Sequence, residues 1–186
     1  MKNLIIYTHL NPASFTKAIV DEVEKKAIAR GEEVKIIDLY GEKFNPILDM
    51  PDVEYLLMGG NIPEDTKKYQ ELITWADHLT IVYPMWWAQM PAILKGFIDR
   101  VFLHGYAFNF TENGPVGLLA GKTAQVYIST NTPAAVYEPT GMNKAQLRII
   151  QEGIFEFCGL KTQTVIFADV KEGTDEMRKG YLTTIL

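Results

Sequence analysis

The 186-residue chain holds one cysteine, Cys158, and three histidines, His9, His78 and His104. A lone cysteine excludes an internal disulfide and a cysteine-built zinc cluster. The histidines have no companions at ligand spacing, so no metal site is expected. No stretch approaches the roughly 20 consecutive apolar residues that span a bilayer, so membrane insertion is not expected. The start, Met1 to Tyr7, has a short apolar run without a small-residue cleavage site, and reads as a strand rather than a signal peptide. An excess of positive charge is also missing: the net charge is -5, which argues against a nucleic-acid partner. Neither GxGxxG nor GxxxxGK[ST] occurs, so neither phosphate-binding glycine fingerprint is present. Repeats, low-complexity segments and linkers are absent. These absences leave one expected domain over residues 1–186 and a cytoplasmic location.

What is present is an alternation of apolar runs and helical patterns. Strands are expected at Asn3–Thr8, Val34–Leu39, His78–Tyr83, Thr123–Ser129 and Lys161–Phe167. Helices are expected from Ser14 to about Ala29, at Glu64–Trp75, from Pro91 to about Leu103, at Lys144–Phe157, and from about Lys171 to the end. Residues 41–62 read as irregular, 104–121 as a long excursion and 130–143 as a loop. The alternation predicts an α/β, three-layer, flavodoxin-like doubly wound sheet of five parallel strands with helices on both faces. Ligands of such sheets sit beyond the carboxyl ends of the strands, which directs attention to the loops after Thr8, Tyr83 and Ser129.

The first loop, His9-Leu10-Asn11-Pro12-Ala13-Ser14-Phe15-Thr16, is a hydroxyl-rich helix start. Free N–H groups and the helix dipole favour an anion there, with Ser14, Thr16, His9 and Lys17 able to assist. The plainer reading makes Ser14 a helix cap and His9 a turn residue. The second loop, Tyr83-Pro84-Met85-Trp86-Trp87-Ala88-Gln89-Met90-Pro91, carries two adjacent tryptophans. Successive strand side chains alternate, so both cannot enter one core face. A wall for a flat ring such as isoalloxazine is one reading, and a rigid aromatic plug the other. The third loop, Ser129-Thr130-Asn131-Thr132-Pro133, is rich in hydroxyls and amides, and Tyr137 follows. Its phenol either hydrogen-bonds a substrate or lies on a solvated surface. Cys158 reads as core, and Asp99-Arg100 as a structural ion pair.

Together these segments resemble the NAD(P)H:quinone acceptor oxidoreductases of the flavodoxin-like fold over roughly residues 3 to 168. The most specific part is Tyr83-Pro84-Met85-Trp86-Trp87 followed by Met90-Pro91-Ala92-Ile93-Leu94-Lys95-Gly96-Phe97-Ile98-Asp99-Arg100-Val101-Phe102. The resemblance implies hydride transfer from NAD(P)H through a bound flavin to a small quinone-like acceptor. It places cofactor contacts at His9, Ser14, Phe15, Thr16 and Ala18, at Pro84, Met85, Trp86 and Trp87, and at Ser129, Thr130, Asn131 and Thr132. The family's third loop often carries two glycines where this chain has Asn131 and Thr132, whose side chains restrict backbone approach. Animal members pair a tyrosine with a histidine six residues later. Tyr137 matches the tyrosine, and Asn143 stands at the histidine position, where it can orient but not relay protons. FMN is the expected flavin, with FAD the alternative, and a homodimer is the expected assembly. Other readings are an azo- or nitroreductase, an electron carrier, or an accessory subunit of a potassium efflux system, which would supply a membrane-protein partner.

Overall fold

Continuous apolar sequence builds the centre of the molecule. In the computed structural model, which describes residues 1–186, the first strand β1 (Lys2–Tyr7) is buried from Asn3 to Tyr7. Burial on both faces is what a parallel sheet between helical layers imposes. The sheet is completed by β2 (Glu33–Asp38), β3 (His78–Pro84), β6 (Thr123–Ser129) and β7 (Lys161–Phe167). All pairs are parallel and the order is β2-β1-β3-β6-β7. Chain direction across the sheet reverses between β1 and β3, so the switch point lies at their carboxyl ends.

Side-chain alternation sorts the strand residues between two layers. Ile5, Tyr7, Val82, Tyr127 and Phe167 pack under α1 (Phe15–Ala29), and Tyr181 and Leu182 of α7 (Asp175–Thr183) lean on the same cluster. Leu4, Ile6, Leu79, Ile81, Tyr83, Val126 and Ile128 face the larger cluster. That cluster takes Tyr69 and Ile73 from α3 (Glu64–Trp75), Ile93, Leu94 and Phe97 from α4 (Ala92–Val101), and Ile150 from α6 (Met142–Ile150).

Several features differ from the sequence expectation. Residues 41–62 contain a helix, α2 (Met50–Met58), capped by Asp49 and ended by Gly59 at φ 69°. The excursion 104–121 folds as an antiparallel hairpin, β4 (Phe108–Thr111) with β5 (Gly114–Gly117). The loop 130–143 contains a short helix, α5 (Ala134–Tyr137). The helix expected at Lys144–Phe157 begins at Met142 and widens to π geometry over Gln151–Glu156.

Asp99 and Arg100 do not pair with each other. Asp99 pairs with Lys95 one turn earlier, because neighbours in sequence do not face each other on a helix. Arg100 instead points inward and uses all five guanidinium donors. Its Nε and Nη2 donate to the buried Asp52 carboxylate (2.8 and 3.2 Å), Nη1 and Nη2 to Asp65 (2.7 and 3.1 Å), and Nη1 also to the Asn45 carbonyl (2.8 Å). Gly96 is required in the same region: a Cβ there would lie 2.1 Å from the Pro46 carbonyl oxygen. α2 and the 45–46 turn are thereby clamped onto α4, the helix that follows the second loop. No helix is long and apolar enough to cross a membrane, and no group of side chains could hold a metal ion.

Candidate functional site

At the switch point three loops are joined by hydrogen bonds. The Thr16 and Ser129 hydroxyls are 2.7 Å apart and buried, which ties the start of α1 to the end of β6. The Met85 N–H donates to the Ser129 carbonyl (2.7 Å), which ties the second loop to the third. His9 meets the ring of Trp86 edge-on, with centroids 6.1 Å apart, closing the first loop on the second. The expected loops therefore converge.

The first loop is shaped by its own side chains. The Asn11 N–H donates to His9 Nδ1 (2.9 Å), so in the neutral ring the proton resides on Nε2. Burial lowers the pKa of His9 and favours that neutral form. Asn11 Oδ1 accepts from the Ala13 N–H, and Ser14 Oγ accepts from the Lys17 N–H (3.1 Å), so Ser14 is the helix cap. Ala18 N–H is already bonded to the Ser14 carbonyl. The N–H groups of Phe15 and Thr16 have no acceptor, which leaves two free donors at the positive end of α1, where an anion is favoured. The Phe15 ring lies away from the loops, against Phe167 and Tyr181. Lys17 pairs with Asp21. The Thr8 hydroxyl, at the foot of this loop, is buried with no partner in the protein.

The second loop is a tight turn. Trp86 and Gln89 exchange both backbone hydrogen bonds (2.9 and 3.0 Å), while Trp87 and Ala88 between them have φ of 52° and 55°. Two consecutive positive φ values define the type I′ geometry, which glycine and asparagine ordinarily fill. A tryptophan and an alanine held there mark a backbone constrained by its surroundings. The Trp87 side chain is fully exposed, and that of Trp86 is 36% exposed against His9. The plug reading fails for Trp87, which plugs nothing. Met85 and Trp86 N–H groups are consumed within the protein, and Pro84 has none. The outward donors are those of Trp87 and Ala88. Ala88 was not among the residues the sequence singled out, because its role follows from which neighbours are already bonded.

In the third loop, the Thr130 N–H is bonded to the Phe167 carbonyl (2.9 Å) and the Thr132 N–H to Thr130 Oγ1 (3.2 Å), leaving Asn131 N–H free. Tyr137 and Asn143 line a cavity of about 200 Å³ together with Thr130, Thr132 and Thr164. The expected pair is thus brought together beside the third loop, while the first two loops do not line that cavity. Asn143 Oδ1 accepts from the Lys144 N–H (2.8 Å).

Other features lie apart from this end of the sheet. A cavity of about 690 Å³ opens at the amino ends of the strands among Asn3, His78, Thr123 and Gln125. Doubly wound sheets bind their ligands at the opposite end, so the smaller loop-side features define the candidate site. His78 is bonded to Thr123, His104 stacks near Phe110, and burial pushes the Cys158 thiol up to about 11, the behaviour of a core residue.

These residues fit a flavin phosphate and ring: an anion-binding helix start with an unpartnered hydroxyl, outward donors at an aromatic turn, and a hydroxyl-lined third loop. Comparison with known proteins places the chain. It is 38% identical over 185 residues to an uncharacterized NAD(P)H oxidoreductase of Haemophilus influenzae, covering 98% of this chain and 91% of that protein. It is 30% identical over 203 residues to the human ribosyldihydronicotinamide dehydrogenase [quinone], covering 96% and 86%. Among solved structures, the NAD(P)H:quinone oxidoreductase from Methanothermobacter marburgensis superposes with a TM-score of 0.87 at 26% identity, over 98% of this chain and 94% of that one. The family model described as "Flavodoxin-like fold" matches residues 1–184, and the chain belongs to that family.

Proposed function

We propose that the protein is a single-domain, cytoplasmic, flavin-dependent oxidoreductase that transfers hydride from NAD(P)H to quinones or similar small acceptors. The observation that carries this reading is the hydrogen-bonded convergence of the three loops at the switch point, where Trp87 of the second loop is fully exposed. The names of the Haemophilus, human and Methanothermobacter relatives support the redox class and the acceptor.

When bound, a flavin supplies a ring that accepts hydride from a nicotinamide and releases it to a quinone. The chain's own residues do the rest. Phe15 and Thr16 N–H groups would hold the phosphate, aided by the Thr8 hydroxyl and the His9 Nε2–H. The unbonded Trp87 and Ala88 N–H groups would serve the ring, where fixed donors would stabilise negative charge without reorganising. Trp86 and Trp87 form an apolar wall that excludes water. The Tyr137 phenol donates to the acceptor's oxygen, with Asn143 in an orienting role. The first loop supplies one anion site, which matches the single phosphate of FMN, with FAD as the alternative. A homodimer is proposed as the working form, supported by exposed Phe110, Leu57 and Met58.

The test is reconstitution with FMN or FAD, mass spectrometry of the flavin released on denaturation, and NADH or NADPH oxidation with and without menadione. Menadione-dependent turnover of the loaded protein is expected. Flavin binding without such turnover would favour an electron carrier, and no binding of either flavin would overturn the reading.

A further inference from the structure

Trp87 and Ala88 sit in a conformation that non-glycine residues rarely hold, and something must hold it. The turn's own backbone supplies the reciprocal Trp86–Gln89 bonds, and the Met85–Ser129 bond anchors its entry. One side chain adds to these. Gln146 of α6, 58 residues along the chain, donates from Nε2 to the Ala88 carbonyl. Gln146 is buried, at 2% exposure, and is one of the two buried residues of its helix, the other being Ile150. A buried amide is retained against its desolvation cost only when its bonds are made, and this one has its donor on the strained turn.

We propose that Gln146 is a positioning residue for the cofactor site: its amide pins the Ala88 carbonyl inward, which turns the Trp87 and Ala88 N–H groups and the Trp87 ring outward. The link between this pin and the flavin rests on the function proposed above. The pin also connects the second loop to the helix that carries Asn143, which lines the third-loop cavity with Tyr137. A peptide unit has one orientation. Fixing the carbonyl of Ala88 fixes the plane shared with Gln89, and the adjacent unit follows because both φ values are already confined.

The test is a double-mutant cycle. Gln146→Met keeps the length of the side chain and removes the donor. Ala88→Gly removes the conformational penalty at positive φ, so the turn no longer needs the pin. Each variant and the double variant are measured in two ways: FMN affinity by flavin fluorescence, and amide hydrogen exchange at Trp87–Gln89 in the apoprotein. In the wild-type background, Gln146→Met is expected to weaken FMN binding about tenfold, the loss for one part-buried hydrogen bond, and to speed exchange in the turn. In the Ala88→Gly background the same change is expected to cost about twofold or less. An equal loss in both backgrounds would overturn the proposal, because Gln146 would then act only through the packing of α6. So would unchanged affinity together with unchanged exchange. Faster exchange in a protein that binds no flavin would leave the pin standing and remove the cofactor reading instead.

Discussion

At the residue scale, the double tryptophan separates into two roles. Trp86 is half-buried against His9 and links two loops, whereas Trp87 has no neighbour to pack on. Trp87→Ala leaves the backbone penalty at that position as it was, since alanine and tryptophan meet the same restriction at positive φ. It removes only the ring. We therefore expect Trp87→Ala to lower flavin retention about tenfold, the value of an aromatic contact together with its buried area, with the melting temperature of the apoprotein unchanged. Trp86→Ala is expected to show the reverse balance: a lower melting temperature and a smaller loss of flavin. Flavin binding by dialysis and apoprotein melting curves measure both, and negligible effects of both substitutions on retention would remove the tryptophans from the site. The pair was visible in the sequence because alternation forbids burying both side chains on one face. Ala88, Thr8 and Gln146 were not, because each depends on which groups remain unbonded after distant segments meet. Asn131 and Thr132 were visible as departures from the glycines of the resembling family. The loop takes ordinary backbone angles there, with Thr130 capping the Thr132 N–H itself.

At the element scale, the strands and long helices could be read from apolar periodicity. The α3 helix and the β6 and β7 strands lie where the pattern puts them. The α2 helix could not be read that way, because its single buried residue is Asp52 and its apolar side chains stay partly or fully exposed. What holds it is the Asp52–Arg100–Asp65 network. Arg100→Met removes the cation and leaves the Asp52 carboxylate buried without a counter-charge, which costs about 3–5 kcal/mol. A chemical denaturation midpoint measures that loss, and a midpoint within error of wild type would show that α2 is dispensable. The network also gives a pH signature. Burial alone would raise the Asp52 pKa, but the Arg100 hydrogen bonds outweigh it and the carboxyl lies below its ordinary value of 3.8. A carboxyl with a depressed pKa stabilises the fold fully above the unfolded value, and that contribution is lost as pH falls through the folded value. Wild-type stability should therefore decline below about pH 4. Asp52→Asn should be less stable at neutral pH, with a shallower decline in acid.

At the scale of the whole molecule, the order β2-β1-β3-β6-β7 decides where the chemistry can be; the alternation of strands with helices made a parallel doubly wound sheet the expectation, and the flavodoxin-like order suited its five strands. The assembly is a different matter, because a surface declares a partner only by what it leaves uncovered. The β4–β5 hairpin presents Phe110 at 65% exposure, and Ile47, Leu57 and Met58 are exposed along and before α2. In the proposed dimer such apolar groups cover the partner's cleft. Phe110 contributes little to its own fold: it is 65% exposed, and its aromatic neighbours are His104 and Phe108. Phe110→Glu places a charge where a dimer would bury it while costing the isolated chain little. The expected outcome is a shift from dimer to monomer by light scattering, an apoprotein melting temperature close to that of wild-type monomer, and reduced menadione-dependent turnover. Turnover should recover as protein concentration rises, because association is governed by mass action. A wild-type protein that is monomeric at all concentrations and fully active would show that one chain completes the cleft alone, and the exposed hairpin would then need a different explanation.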